Sequence, residues 1–246
     1  MSRLLALTRR ELMAYFFAPV PYLVMFFFLL LTFVFFQMQM LRMGQQFYVS
    51  YQPVFENLGS VLLFLIPLLT MNSVAEERSR NTLETLLTAP VTDLQVIFAK
   101  WCGTFLFYVV MLVPTLVYLA ILVHLGAGIG KPDPGPVFAS YLGALLLGGL
   151  YISIGIFASS VTENALLSAF VAFFAMIALM LFQVLPIVQD SAPDWLRTGA
   201  EYLSQHQHFA EFLKGRIAVH DVAYFVTTTA LFLFLAVRAL ESRKWR

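Results

Sequence analysis

Charged residues are scarce in this chain of 246 residues. Only 12% of the residues are charged and 60% are hydrophobic, whereas an ordinary soluble domain is about one quarter charged and about half apolar. A soluble globule of this length could not hide the surplus of apolar side chains. The composition therefore predicts that the chain lies in a lipid bilayer.

Cysteine and clustered basic residues are also rare. The single cysteine, Cys102, excludes an internal disulfide and a metal site built from several cysteines. No block of basic residues is interleaved with aromatic ones, which argues against nucleic acid as a partner. The first apolar run, residues 20–38, is too long for the core of a secretory signal peptide, and no small-residue cleavage site follows it.

The usual patterns of nucleotide and proton chemistry are missing. Residues 126–131 resemble a phosphate-binding loop, but the glycine spacing is one residue short and Pro132 stands where Ser or Thr is needed. No ionisable side chain lies at the centre of an apolar segment, which argues against an ion-coupled carrier. No catalytic triad or carboxylate pair is evident. The chain is therefore predicted to be no enzyme and to bind no cofactor itself.

Three histidines raise the question of a metal site. His206 and His208 are two positions apart, a spacing that does not share one face of a helix, and His220 follows later. With no cysteine, and no carboxylate at ligand spacing, ordinary polar loop residues explain this pattern better. No metal site is therefore predicted.

Six apolar segments approach the length of about 20 residues that a helix needs to cross a bilayer core. They predict an all-α integral membrane protein in a single domain, residues 1–246. The predicted spans are 21–39, 58–73, 99–123, 137–158, 165–188 and 222–240. Ten of the 15 Lys and Arg residues lie on the side of the two termini. This asymmetry predicts that both termini are cytoplasmic.

The segments outside the spans carry patterns of their own. Residues 1–18 combine an apolar and a charged face, which favours an interfacial helix on the inner leaflet over a short cytoplasmic stub. Pro19 breaks this helix before the first span. Residues 189–221, on the outer side, mix aromatic and apolar residues with polar ones. Because aromatic residues favour the membrane interface, we expect a folded, partly embedded helical element there.

Small residues recur at intervals of four in the predicted fourth span. Ser140, Ala144 and Gly148 would share one face of the helix. Small residues at this spacing let two membrane helices approach closely, although a lipid-facing helix also tolerates them. These three residues are the predicted helix-packing face.

The segment between the second and third spans, residues 74–98, is the most informative. Asn81 can cap a short helix, and Glu84 can complete a capping box. Thr92 and Gln95 repeat this pattern and open the third span. The apolar face of the short helix consists of Leu83, Leu86 and Leu87. Because exposing leucine side chains to water is unfavourable, these leucines must rest on lipid headgroups or on another protein.

This region resembles a known family. Residues 67–78, Pro-Leu-Leu-Thr-Met-Asn-Ser-Val-Ala-Glu-Glu-Arg, together with residues 81–93 and Lys100, resemble the signature region of ABC-2 type exporter permeases. The similarity covers essentially the whole chain. It is closest to the branch associated with bacterial gliding motility, whose pattern residues 204–209 and 240–245 also fit.

The resemblance implies six spans, an N-terminal connecting helix at the interface, and a re-entrant element between the last two spans. It also implies a bacterial inner-membrane location and a dimer of identical or related permease chains. Two separate ATPase subunits would bind the ATP and Mg²⁺. The short helix after the second span would be the coupling helix that docks into an ATPase subunit. The predicted interface residues are Glu76, Glu77, Arg78, Asn81, Leu83, Glu84, Leu86 and Leu87.

The predicted function is therefore the permease subunit of an ATP-driven exporter of unknown cargo. The alternative is a membrane scaffold that anchors a motility or secretion machine and does not transport. A stand-alone channel or carrier fits less well, because charged residues are missing from the span centres.

Overall fold

The regular structure in the described part of the chain is entirely helical. The computed structural model describes residues 3–43, 52–76, 92–125, 133–181, 199 and 202–242. Its helices are α1 (Arg3–Phe17), α2 (Pro19–Met43), α3 (Gln52–Glu56), α4 (Leu58–Thr70), α5 (Asp93–Leu112), α6 (Leu116–Leu125), α7 (Pro134–Val161), α8 (Ala165–Leu181), α9 (Gln205–Leu213) and α10 (Val219–Glu241). A 3₁₀ turn, Val113–Thr115, joins α5 to α6. The prediction of an all-α protein is confirmed for these residues.

Four helical stretches are long and apolar enough to cross a membrane. They are Pro19–Leu41, Asp93–His124, Pro134–Val161 and Val219–Glu241, and they coincide with predicted spans one, three, four and six. The helices at predicted spans two and five are shorter among the described residues, at Val54–Thr70 and Ala165–Leu181. The end of the predicted fifth span, 182–188, lies outside the described residues. The four long helices support a multi-pass membrane protein, and the six-span topology stays a prediction.

Helix α5 begins at Asp93, earlier than the predicted start of the third span at residue 99. The Thr92 hydroxyl accepts a hydrogen bond from the Gln95 N–H group, and the Gln95 side chain accepts one from the Thr92 N–H group. This capping box satisfies two N–H groups that would otherwise lack partners at the helix start. The capping pattern predicted at Thr92 and Gln95 is therefore confirmed.

A proline interrupts the third apolar stretch. Pro114 lies in the 3₁₀ turn between α5 and α6, where it removes a backbone donor. The neighbouring Thr115 hydroxyl donates to the Leu112 carbonyl oxygen at 2.6 Å and lies 3.0 Å from the Tyr141 hydroxyl. Hydroxyl groups commonly supply the bonds that a proline removes inside a membrane. The break is therefore compatible with one continuous span.

Helix α7 is the centre of the described bundle. It contacts α3, α4, α5, α8, α9 and α10, and 78% of its most apolar 18 residues are buried inside the protein, compared with 17% for α10. The Tyr108 ring of α5 lies directly over Gly148, where a Cβ atom would come within 2.2 Å of Tyr108 Cε1. The Tyr108 hydroxyl also donates to the Ala144 carbonyl oxygen at 2.8 Å. Ser140 is buried as well, so all three predicted packing residues point into the protein.

Replacing Gly148 with Ala is expected to destabilise the protein by about 1–3 kcal/mol, the usual cost of overpacking. The added methyl group would strike the Tyr108 ring, which its bond to Ala144 holds in place. The measurement is the free energy of unfolding of the detergent-purified chain. Gly59→Ala is the matched control, because the nearest described atom to a Cβ there is Leu147 Cδ2 at 3.6 Å, an ordinary contact. Equal stability of the two variants would contradict the close approach of α5 to α7.

Candidate functional site

The residues that lead into the predicted coupling region lie at one end of the bundle, which we call the exit end. It comprises α1, the first turns of α5, the last turn of α7 and residues 71–76, which continue the chain beyond α4. A turn at residues 71–74 carries the chain from α4 to Glu76. This short segment is the described part of the connection between predicted spans two and three.

Ser159, in the last turn of α7, holds the chain as it leaves α4. Its hydroxyl oxygen accepts hydrogen bonds from the N–H groups of Val74 and Ala75, both at 3.0 Å. The same hydroxyl donates to the Met71 carbonyl oxygen at 3.1 Å. Buried N–H groups are costly without partners, and Val74, Ala75 and Ser159 are all buried. One serine therefore fixes the direction in which the chain leaves α4.

Helix α1 is packed along the first half of α5. Gly103 permits the close approach, because a Cβ atom there would lie 2.8 Å from Glu11 Cβ. The Tyr15 hydroxyl lies 2.8 Å from Thr104 Oγ1. The Tyr15 ring stacks on Phe107, with the ring centroids 5.5 Å apart. The first helix is therefore docked on the bundle through α5, and it does not extend away as a separate stub.

The other side of α1 is exposed and largely apolar. Leu5, Met13 and Phe17 are exposed there, and so are Arg9 and Arg10. Apolar side chains with neighbouring basic groups favour the boundary between lipid headgroups and acyl chains. This surface is consistent with an interfacial helix, and the position of α1 on the inner leaflet stays a prediction.

An ion pair joins α1 to α5 at the exit end. Lys100 Nζ lies 3.2 Å from Glu11 Oε2, and the two side chains are 2% and 13% exposed. A buried ammonium group requires a partner of opposite charge. An open cavity of about 330 Å³ borders the pair, and Asn72 and Glu76 also line it. The beginning of the predicted coupling region thus lies beside the contact between α1 and α5.

Among the residues predicted for the ATPase interface, the structure describes Glu76. The others lie outside the described residues: Glu77, Arg78, Asn81, Leu83, Glu84, Leu86 and Leu87. The sequence did not single out Ser159 or Glu11 as contacts of the coupling region. The position of Lys100 within an apolar helix could have indicated the ion pair with Glu11, because such a charge needs a partner nearby.

At the opposite end of the bundle, a tight turn joins α9 to α10. Gly215 has a φ of +81°, which a residue with a Cβ atom rarely adopts. The Gly215 N–H group donates to the Phe212 carbonyl oxygen, and the Arg216 N–H group to the Glu211 carbonyl oxygen, both at 3.0 Å. These two bonds form a Schellman motif, which ends α9. The chain then reverses, and α10 begins at Val219.

This reversal brings His208 to the carboxylate of Asp221, which the neighbouring His220 also contacts. His208 Nδ1 lies 2.6 Å from Asp221 Oδ1, and His220 Nε2 lies 3.2 Å from the same oxygen. Asp221 and His208 are buried, whereas His220 is exposed. His206 lines the cavity beside them. The fold therefore pairs Asp221 with a histidine 13 positions away, which the prediction of no metal site had not anticipated.

Helix α9 is also attached to the centre of the bundle. The Gln205 side chain donates from Nε2 to the Tyr151 hydroxyl of α7 at 2.7 Å. Phe209 and Phe212 are buried in the same core cluster as the residues of α7. The region 189–221 thus contains a packed helix in its described part, and its partial embedding in the membrane stays a prediction.

Comparison with known proteins identifies the family. The family model described as ABC-2 family transporter protein matches residues 40–237. No curated protein matches the chain significantly. The matched range includes both anchors of the predicted coupling region, Ser159 and Lys100, as well as the paired His208 and Asp221 at the opposite end. Because the match covers most of the chain and runs through its apolar helices, the protein belongs to the ABC-2 family of transporter proteins.

Proposed function

We propose that the chain is the permease subunit of an ATP-binding cassette exporter and that a separate ATPase subunit hydrolyses the ATP. The observation that carries this proposal is the family match over residues 40–237. Membership implies a membrane subunit of a transporter that is not itself catalytic. The cargo would cross between permease chains, while Mg²⁺ and ATP would be bound by the partner ATPase.

The exit end offers a route by which an ATPase could move the spans. A coupling helix acts on the membrane only if its displacement reaches the helices around it. Ser159 fastens residues 71–75 to α7, and α7 packs against α3, α4, α5, α8, α9 and α10. Movement of the predicted coupling region, which follows Glu76, would therefore also displace the central helix α7.

A second attachment lies at the C-terminal side of the predicted coupling region, where the chain returns to the bundle. The chain re-enters at Thr92, where the capping box starts α5. The pair Glu11–Lys100 and the contact of Tyr15 with Thr104 fasten α1 to this part of α5. The predicted coupling region would thus be held at both ends, with α1 moving together with α5. This arrangement supports the role of α1 as a connecting helix.

We further propose the orientation and assembly that the residue pattern favours. The six spans would lie in a bacterial inner membrane, with both termini and the exit end in the cytoplasm. Two permease chains, identical or related, would combine with two ATPase subunits. The turn at Gly215 and helix α9 would belong to the outer, re-entrant element. The resemblance of residues 204–209 and 240–245 to the gliding-motility branch supports that branch for this chain.

A paired substitution on the predicted coupling helix tests the contact with the ATPase. Leu86→Asp/Leu87→Asp places two charges where an apolar contact is proposed, and burying unpaired charges is costly. We expect the amount of ATPase that copurifies with the permease in mild detergent to fall by about tenfold or more, which corresponds to about 1.4 kcal/mol. Mass spectrometry of the copurified proteins measures this ratio.

The matched control is Tyr202→Asp/Leu203→Asp. It adds the same charges at exposed positions at the opposite end of the bundle, and it should leave the ATPase bound. Both variants must reach the membrane in native amounts. Undiminished ATPase association in Leu86→Asp/Leu87→Asp would rule out the proposed interface.

Ser159→Ala tests the route from the coupling region to the spans. The substitution removes one acceptor from two buried N–H groups, at a cost of about 1–3 kcal/mol. We expect the ATPase to remain bound, while the nucleotide-dependent change at the far end falls to about a tenth. The reporter is the rate of thiol labelling at Ile217→Cys, an exposed position next to α10, in a Cys102→Ala background with and without ATP and vanadate.

Ser153→Ala is the control on the same helix. Ser153 is equally buried, and its hydroxyl donates to the Leu150 carbonyl oxygen within α7. Its loss should leave the nucleotide-dependent labelling intact. If Ser159→Ala behaves like Ser153→Ala, the anchor does not transmit movement. If the parent complex shows no nucleotide-dependent change at residue 217 either, a scaffold that does not transport is favoured.

A further inference from the structure

Both ring nitrogens of His208 face oxygen atoms. Nε2 lies 3.1 Å from the Tyr202 carbonyl oxygen, and Nδ1 lies 2.6 Å from Asp221 Oδ1. A carbonyl oxygen can only accept, so the ring proton lies on Nε2 and is donated to Tyr202. In a neutral ring, Nδ1 then presents a lone pair to an ionised carboxylate. Such an arrangement is unfavourable unless a cation, either a proton or a metal ion, lies between the two atoms.

The Asp221 carboxylate can accept more hydrogen bonds than the described neighbouring groups donate to it. Its side chain is 1% exposed, and Oδ2 has no hydrogen-bond partner among the described residues. Buried polar oxygens normally have a partner, and each exception calls for a physical reason. Oδ1 is approached from the other side by His220 Nε2 at 3.2 Å. Two imidazole nitrogens and a partly unsatisfied carboxylate thus converge on one point.

We propose that His208 Nδ1, His220 Nε2 and the Asp221 carboxylate bind one Zn²⁺ ion. The three ligand atoms lie within 4.8 Å of one another. Around a tetrahedral zinc ion with bonds of about 2.1 Å, ligand atoms are about 3.4 Å apart. Small side-chain rotations therefore complete the site. His220, whose side chain is 68% exposed, has room for them.

The donor set selects the class of metal. Imidazole nitrogen with carboxylate oxygen is typical of zinc and related first-row ions, whereas Mg²⁺ and Ca²⁺ prefer oxygen ligands alone. The bond from His208 Nε2 to the Tyr202 carbonyl oxygen is the outer contact that usually orients a metal-binding histidine. The Tyr224 ring stacks on His208, with centroids 4.3 Å apart. The ring is therefore held in one orientation before the ion arrives.

The fourth position of the ion would open to a cavity of about 490 Å³. An ion can enter from this cavity, and water can fill the remaining position. Glu211 also lines the cavity, but its carboxylate accepts a hydrogen bond from Lys214 Nζ at 2.6 Å. That bond lowers the pKa of Glu211. Glu211 is thus an anion already paired with Lys214 and, at 3.7 Å, with Arg216, so it is not included among the proposed ligands.

A zinc ion at this place would join α9 to the start of α10. The two helices are already connected by the Schellman turn at Gly215, by the Tyr224 ring stacked on His208, and by Phe212 and Phe225, whose ring centroids are 6.1 Å apart. The site lies at the opposite end from Ser159 and Lys100. The inference therefore does not depend on transport, on the ATPase or on the orientation in the membrane.

Zinc binding by the full chain is the direct test. The protein is purified in detergent without a histidine tag, stripped with a chelator, and dialysed against buffered Zn²⁺. We expect about one ion per chain, measured by mass spectrometry of the metal content. Millimolar Mg²⁺ or Ca²⁺ should not displace it, because both ions disfavour nitrogen ligands.

His220→Ala is the decisive variant, because an exposed side chain can be removed without disturbing the interior. Its zinc affinity should fall by about 100-fold, since loss even of an outer contact costs roughly 10- to 100-fold. His124→Ala removes a histidine at the end of α6 and should bind zinc as the native chain does. Zinc should also raise the midpoint of thermal unfolding of the native chain and of His124→Ala, but not of His220→Ala.

Two results would overturn the proposal. The native chain could bind no zinc at micromolar concentration, or His220→Ala could bind it as tightly as His124→Ala does. In either case the cluster binds no zinc through His220, and the contact of His208 with Asp221 only joins α9 to the start of α10. X-ray absorption of the zinc-loaded chain adds an independent readout, because two imidazole ligands give a recognisable spectrum.

Discussion

The close approach of α5 to α7 is the contact on which the rest of the bundle depends. At Gly148 the central helix has no side chain, and the Tyr108 ring fills that space while its hydroxyl bonds to the Ala144 carbonyl oxygen. In a bilayer, apolar side chains gain little by leaving lipid, so packing and hydrogen bonds between helices must hold the bundle together. With α5 fixed in this way, the central helix α7 packs against α4, α8, α9 and α10, and α1 packs against α5. Both ends of the bundle are built on this frame.

The polar chemistry of the described residues is concentrated at these two ends, and each end uses it differently. At the exit end, Ser159 and the pair Glu11–Lys100 fasten the segments on either side of the predicted coupling region. At the opposite end, His208 and Asp221 fasten α9 to α10. Between them, side-chain hydroxyl groups such as that of Thr115 bond to backbone carbonyl oxygens, so the apolar layer contains few costly groups.

Local features of this fold could be predicted from the sequence, and features that join distant segments could not. The length of the apolar runs was enough to place the four long helices, and the Thr92–Gln95 pattern predicted a helix start because its bonds reach only three residues along the chain. Ser159 binds residues more than 80 positions away, so no local pattern could reveal its role. The approach of His208 to Asp221 depends on the left-handed conformation of Gly215. The sequence shows a glycine there but not the direction in which the chain turns.

The third apolar stretch is longer than a bilayer requires. Asp93–His124 contains 32 residues, a length of about 48 Å, whereas the hydrocarbon core is about 30 Å thick. The helical stretch must therefore tilt or project beyond the hydrocarbon core. The turn at Pro114 allows the helices before and after it to take different angles. The half before Pro114 is about 30 Å long and carries α1 on its far part. Because Tyr108 and Trp101 bond this half to α7, a change of angle at Pro114 would displace α6 and leave α5 and α1 in place.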